Sequence, residues 1–157
     1  MKFADFVCFD AVITELKAAD RNNAIKELVS ALDNARKLGK NNREDVIKAV
    51  IKREREASTG MGRGVAVPHV KHPAVKKVVA AVGLSSKGID FSALDKQPVY
   101  SVILVISPAN DPEKHLLAME NVFKHLQHER FRKFLRQCRL PEQVEDLLRE
   151  ADDNPSW

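Results

Sequence analysis

Several things are scarce in this sequence, and each scarcity excludes something. There are two cysteines, Cys8 and Cys138, far apart and without metal or redox spacing. That excludes a disulfide framework and a thiolate metal centre, and fits reduced thiols in a cytoplasmic protein. No apolar run approaches the ~20 residues needed to cross a bilayer. The amino terminus has no basic head followed by an apolar core. Direct membrane insertion and a secretory leader are therefore not expected. Neither sign of charge dominates, with 26 Lys and Arg against 22 Asp and Glu and a net charge of +4. One denser basic run extends from Lys124 to Arg139. It carries the apolar spacing of a buried helix, so its charges read as a solvated face or a surface for an acidic partner, and no nucleic-acid partner is expected. Repeats, low-complexity stretches and interdomain linkers are missing as well. Residues 1–157 read as a single domain with a core over about 10–150, a short N-terminal arm and a polar C-terminal tail.

Glycine is scarce too, but unevenly so. Of six in the chain, three fall within the five residues 60–64. The stretch is Ser58-Thr59-Gly60-Met61-Gly62-Arg63-Gly64-Val65-Ala66-Val67-Pro68-His69. A small glycine-rich loop runs into a short apolar segment that ends on a histidine. Such a loop lets backbone N–H groups approach an anion closely, and a histidine beside it can act as a nucleophile toward a phosphoryl group. A plain turn before a strand with a surface histidine fits the loop equally. No Gly-Lys-Ser/Thr follows, so it is not a nucleotide-binding P-loop.

Periodicity along the chain outlines the elements. Phe3, Phe6, Val7 and Phe9 mark an N-terminal arm that either packs on its own chain or pairs with another subunit to form a homodimer. Val12, Thr14, Leu16 and Ala18 alternate as a half-exposed first strand. Asp20 is an N-cap for a helix bearing Ala24, Ile25, Leu28, Val29 and Leu32 on one face, which Gly39 ends. Asn42 caps a second helix with Val46, Val50 and Arg53 on a common face, so Arg53 falls in its last turn. Val65 to Pro68 and Lys77 to Leu84 read as strands. Val99 to Ile106 is apolar on both faces and reads as a central strand covered on both sides. Asp111-Pro112 opens a helix with His115 at the start of its apolar stripe. Helices around Phe131–Cys138 and from Pro141 follow, then a loose tail from Ala151 to Trp157. His125 and His128 read as surface residues. The order of elements predicts an α/β three-layer sandwich, a mixed β-sheet flanked by helices on both faces.

The motifs resemble those of the type-2 EIIA domains of the bacterial phosphotransferase system (PTS), which include the fructose- and mannitol-specific IIA domains and the nitrogen-regulatory IIA proteins. Arg53-Glu54 followed by Ser58 through His69 is similar to the family's active-site signature. Gly88-Ile89-Asp90-Phe91, Asp95-Lys96-Gln97-Pro98-Val99, and Pro108 with His115-Leu116 follow in the family's order. The resemblance covers about residues 10 to 150 and lies nearest the fructose and nitrogen-regulatory branches. Two positions depart from it: Val70 stands where the family usually has glycine, and His72 lies where no histidine is expected.

The resemblance implies the mixed α/β architecture and a phosphohistidine carrier. His69 is the expected phosphoryl acceptor, His115 the second active-site histidine, and Arg53 the arginine that meets phosphate oxygens. Thr59, Gly60 and Gly62 are expected to complete a phosphoryl cradle. The expected activity is a phosphotransferase, with His-to-His transfer from an HPr- or NPr-like carrier protein. Onward partners are a IIB domain or, for the nitrogen-regulatory type that the absence of an attached permease favours, regulatory targets such as potassium transporters and sensor kinases. A binding module that works without phosphorylation is the alternative, and taken without the resemblance His115 reads as a core histidine. Exchange of one P–N bond for another needs neither ATP nor metal, so no cofactor is expected. His69 and His72 invite a zinc reading, but no further ligand lies nearby in sequence, and no metal is expected.

Overall fold

A computed structural model describes residues 1–154. Its centre is β6 (Val99–Ser107), nearly continuous in buried apolar side chains. A strand of that composition must be covered on both faces. On one side it pairs antiparallel with β5 (Val79–Ile89), and β5 pairs parallel with β1 (Val7–Ile13). On its other side two short strands, β3 (Val65–Ala66) and β4 (His69–Lys71), pair parallel with successive parts of it. β2 (Gly60–Gly62) closes the edge against β3. The sheet order is β1-β5-β6-β3-β2, with β4 also on β6.

The alternation of β6 separates two cores. Val102, Leu104 and Ile106 face α2 (Arg21–Asn34) and α3 (Arg43–Glu56), among Ile25, Leu28, Leu32, Val46 and Val50. Ile103 and Val105 face α1 (Phe3–Phe6), α4 (Pro112–Leu126), α5 (Glu129–Gln137) and α6 (Pro141–Asp153). The expected three-layer mixed α/β sandwich is the architecture observed.

Local chemistry accounts for most element ends. Asp20 accepts the Asn23 N–H at 2.9 Å and Asp111 accepts the Lys114 N–H at 3.2 Å, so both cap helices as expected. α2 stops at Asn34 rather than near Gly39. Arg36 adopts φ 61° there, and the Lys37 N–H reaches back to the Leu32 carbonyl at 3.0 Å, which closes the last turn. Asn42 does begin α3, but its side chain turns back to donate to the Leu38 carbonyl at 2.7 Å.

Three expectations are corrected, and of the two readings of the N-terminal arm one is observed. The first strand begins at Val7, not Val12: the alternation through Leu16 and Ala18 runs on past the strand's end. The N-terminal arm packs on its own chain. Phe3 is fully buried and stacks on Phe131 with ring centres 5.9 Å apart, and Asp152 accepts the N–H groups of Phe3 and Ala4. Asp152 belongs to α6, so the helix continues through part of the segment expected to be loose, while residues 155–157 lie outside the described residues. His125 is 3% exposed rather than on the surface, held between Phe3 and Phe131.

Candidate functional site

The segment Val65–Pro68 is not one strand. Pro68 has no N–H to give a neighbour, so the pairing with β6 breaks there and resumes at His69. The Pro68 carbonyl still accepts the Val105 N–H at 3.0 Å, and His69 registers with Val105. This places the histidine at the C-terminal end of the central strand, where β6 gives way to Pro108.

His69 is half-buried in a recess of about 330 Å3 lined by Arg53, Val70, Lys71 and His115. Its Nδ1 lies 2.8 Å from the Val67 carbonyl. A carbonyl can only accept, so Nδ1 carries the hydrogen and Nε2 keeps its lone pair. Burial holds the His69 imidazole below the ordinary histidine range. The Val67 carbonyl opposes this, and the charges of Arg53 and Lys71 add to it. The ring is therefore neutral, and nucleophilic at Nε2, at neutral pH.

His115 sits in the first turns of α4, with its ring centre 5.6 Å from that of His69. Its Nδ1 lies 2.6 Å from Oγ of Ser107, the fully buried last residue of β6. Burial, His69 and Lys71 hold its pKa down as well. Arg53 lies in the last turn of α3, as its spacing predicts, and Nη1 donates to the Ala57 carbonyl at 3.2 Å. Three sequence-distant groups, Arg53, His69 and His115, thus meet in one concavity with Lys71.

Thr59, Gly60 and Gly62 are not in its wall. Their segment turns toward carboxylates of the chain itself. Thr59 donates its N–H to Glu54 at 2.7 Å and its hydroxyl at 2.5 Å, while the Arg63 N–H goes to Asp95 at 3.2 Å. Gly60 packs so closely on Ala93 that a Cβ there would lie 2.8 Å from the Ala93 Cα. Thr59, Gly60 and Gly62 thus lie outside the recess wall, and the Thr59 donors and the Arg63 N–H meet carboxyl groups of the chain itself.

Two further residues, neither among the expected site residues, brace the surroundings of the recess. Glu54 is 1% exposed, and burial holds its carboxyl above the usual range despite the hydrogen bonds from Thr59. Its signal was present as the carboxylate next to Arg53. His72, buried, spans from β4 to α3: Nδ1 accepts the Ala74 N–H at 2.9 Å, and Nε2 donates to Asp45 at 2.6 Å. Both nitrogens of His72 are thus engaged away from His69. Among the described residues no cluster of three His, Cys, Asp or Glu side chains could hold a metal ion. No helix there is long and apolar enough to cross a membrane.

Comparison with known proteins places this arrangement. Residues 7–151 match the family profile described as "Phosphoenolpyruvate-dependent sugar phosphotransferase system, EIIA 2". The chain is 30% identical to the nitrogen regulatory protein of Bradyrhizobium diazoefficiens, over 94% of this chain and 95% of that one. It is also 30% identical to the PTS system fructose-specific EIIABC component of Bacillus subtilis, over 97% of this chain but only 24% of that much longer protein. In three dimensions it superimposes on the nitrogen regulatory protein IIA-Ntr of Neisseria meningitidis with a TM-score of 0.84, at 23% identity, covering 93% of this chain and 98% of that one.

Proposed function

We propose, from the premise that this chain belongs to the type-2 EIIA family of the phosphoenolpyruvate-dependent sugar phosphotransferase system, a family of phosphoryl-carrying domains, that His69 is the residue that carries the phosphoryl group. The observation behind this is the locked tautomer. Nδ1–H is tied to the Val67 carbonyl, and Nε2 is the ring nitrogen left for the recess shared with Arg53 and His115.

The donor is a phosphohistidine on an HPr- or NPr-like carrier protein. Nε2 of neutral His69 attacks phosphorus, a new P–N bond forms as the donor's breaks, and the donor imidazole leaves with the electron pair of the old bond. Nδ1–H remains on the Val67 carbonyl throughout. Arg53 and Lys71 meet the phosphoryl oxygens, the arginine through its planar fork. If Ser107 donates its hydroxyl hydrogen to Nδ1 of His115, the hydrogen of that ring lies on Nε2, free for a phosphoryl oxygen. The transfer needs only orientation and charge stabilisation, because the bonds made and broken are alike. The phosphorylated chain then serves a IIB domain or, in the nitrogen-regulatory type that we favour, reports its state to a cytoplasmic target.

The test is intact mass after incubation with phosphoenolpyruvate, enzyme I and HPr. The wild type should gain one phosphoryl group and His69→Ala none. No gain by the wild type with several HPr sources would discard the carrier reading and leave a binding module that works without phosphorylation.

A further inference from the structure

The largest concavity described lies away from His69. It encloses about 650 Å3 between the turn from β2 to β3, the first half of β6 and α5. Ser101 on its floor precedes Val105, the register partner of His69, by four residues. At ~3.3 Å per residue the two places are roughly 13 Å apart along the strand.

Five cationic side chains surround this cleft: Arg63, Arg132, Lys133, Arg136 and Arg139. Asp95 and Glu129 line the cleft against them, and Glu15, which accepts the N–H and hydroxyl of Ser86 in the wall, lies within the influence of Arg139; Asp95 already accepts the N–H groups of Arg63 and Gln97. None of the five cations forms an ion pair among the described residues. Three of them are nevertheless held in place. The Arg136 guanidinium lies 3.5 Å from the centre of the Tyr100 ring. Arg132 donates through one nitrogen to the carbonyls of Leu126 and Gln127, and Arg139 through one nitrogen to those of Arg136 and Cys138. Each guanidinium keeps its other N–H groups for a ligand. Ser101, 2% exposed, lies on the floor of the cleft.

We propose that this cleft binds a small polyphosphorylated anion, one carrying two or three linked phosphoryl groups. Five cations against the two lining carboxylates, with Glu15 near Arg139, leave two to three positive charges facing a half-open cleft, which suits a ligand with more than one phosphoryl group. Arginine forks suit adjacent phosphate oxygens, and the size lies within the range of small-ligand sites. Single-stranded nucleic acid fits less well, because it needs an open aromatic platform for its bases. The only aromatic ring lining the cleft, Tyr100, is covered by Arg136.

The test is an amide NMR titration of the whole chain with inorganic tripolyphosphate at about 0.15 M ionic strength. Inorganic phosphate and a short single-stranded DNA are titrated in parallel. Tripolyphosphate should give saturable shifts at Gly64, Ser101 and the amides of α5, with phosphate much weaker. Arg63→Gln/Lys133→Gln, a pair of exposed side chains without ion-pair partners, should weaken tripolyphosphate by about tenfold or more and leave the melting temperature unchanged. Arg136→Gln should weaken it as well. Shifts confined to Val70, Lys71 and His115, a response that never saturates, or unaltered affinity in both variants would overturn the proposal. Tighter binding of the DNA, with a steep salt dependence, would overturn it in favour of a nucleic-acid surface.

Discussion

Glu54 and Thr59 are joined four times over: the carboxyl group accepts the threonine N–H at 2.7 and 3.1 Å and its hydroxyl at 2.5 and 3.0 Å, out of reach of solvent. The pair fixes the end of α3 to the start of the glycine loop, and Arg53 is the residue just before the clamp. Glu54→Ala would leave two buried donors unpaired and should cost about 1–3 kcal/mol of stability. Urea unfolding measures it. Glu54→Gln keeps an acceptor and should cost much less.

The same carboxyl has a pH signature. Its folded pKa is raised by burial, so between about 4.5 and the folded value the native state holds a proton that the unfolded state has lost. Native proton binding is then the larger, and this group's contribution to stability falls as pH rises across that window. The difference in urea midpoint between wild type and Glu54→Gln should drift with pH there. A constant difference would mean that Glu54 titrates normally.

His69 and His115 act in the opposite sense. Both are depressed below the ordinary value of about 6.5, so below that pH the unfolded state binds more protons and stability falls as pH falls. Imidazole NMR titration should give midpoints below the free value for both rings. Arg53→Gln should raise that of His69, because the arginine charge helps hold it down. An unmoved midpoint would separate Arg53 from the site.

Ser107→Ala removes the only hydrogen-bond partner of the His115 ring among the described residues. We expect phosphoryl acceptance to slow about 2- to 10-fold, the equivalent of one net hydrogen bond. The His115 ring nitrogens should also shift toward a mixed tautomer signal, which loss of packing alone would not produce. Retention of both rate and tautomer would make Ser107 a packing residue.

Phe3→Ala empties a fully buried ring site against Phe131 and His125. The expected loss is about 3–5 kcal/mol, read as a lowered melting temperature. If the arm were an accessory to the fold, the change would be near zero.

What could be read from the sequence depended on how local its causes were. The Asp20 and Asp111 caps, the doubly apolar β6 and the place of Arg53 in the last turn of α3 each depend on neighbours within a few residues, and all were legible. His125 was misjudged because its burial comes from Phe3, more than a hundred residues away, which no periodicity near His125 reveals. The break at Pro68 was misjudged in a subtler way. Its missing N–H is local, but the need for that N–H exists only once β6 lies alongside. The contacts of Thr59 and Arg63 in the glycine loop with Glu54 and Asp95 are not legible in the same way, because nothing in the spacing of Arg63 and Asp95 announces that they meet.

The His72–Asp45 bridge has a mechanical consequence. It pins the strand that begins with His69 to the helix that carries Arg53, three residues from one and eight from the other. The His69 ring and the Arg53 guanidinium are thus tied into one frame, and in the carrier function proposed above the shape adjustment of an encounter falls to the incoming protein.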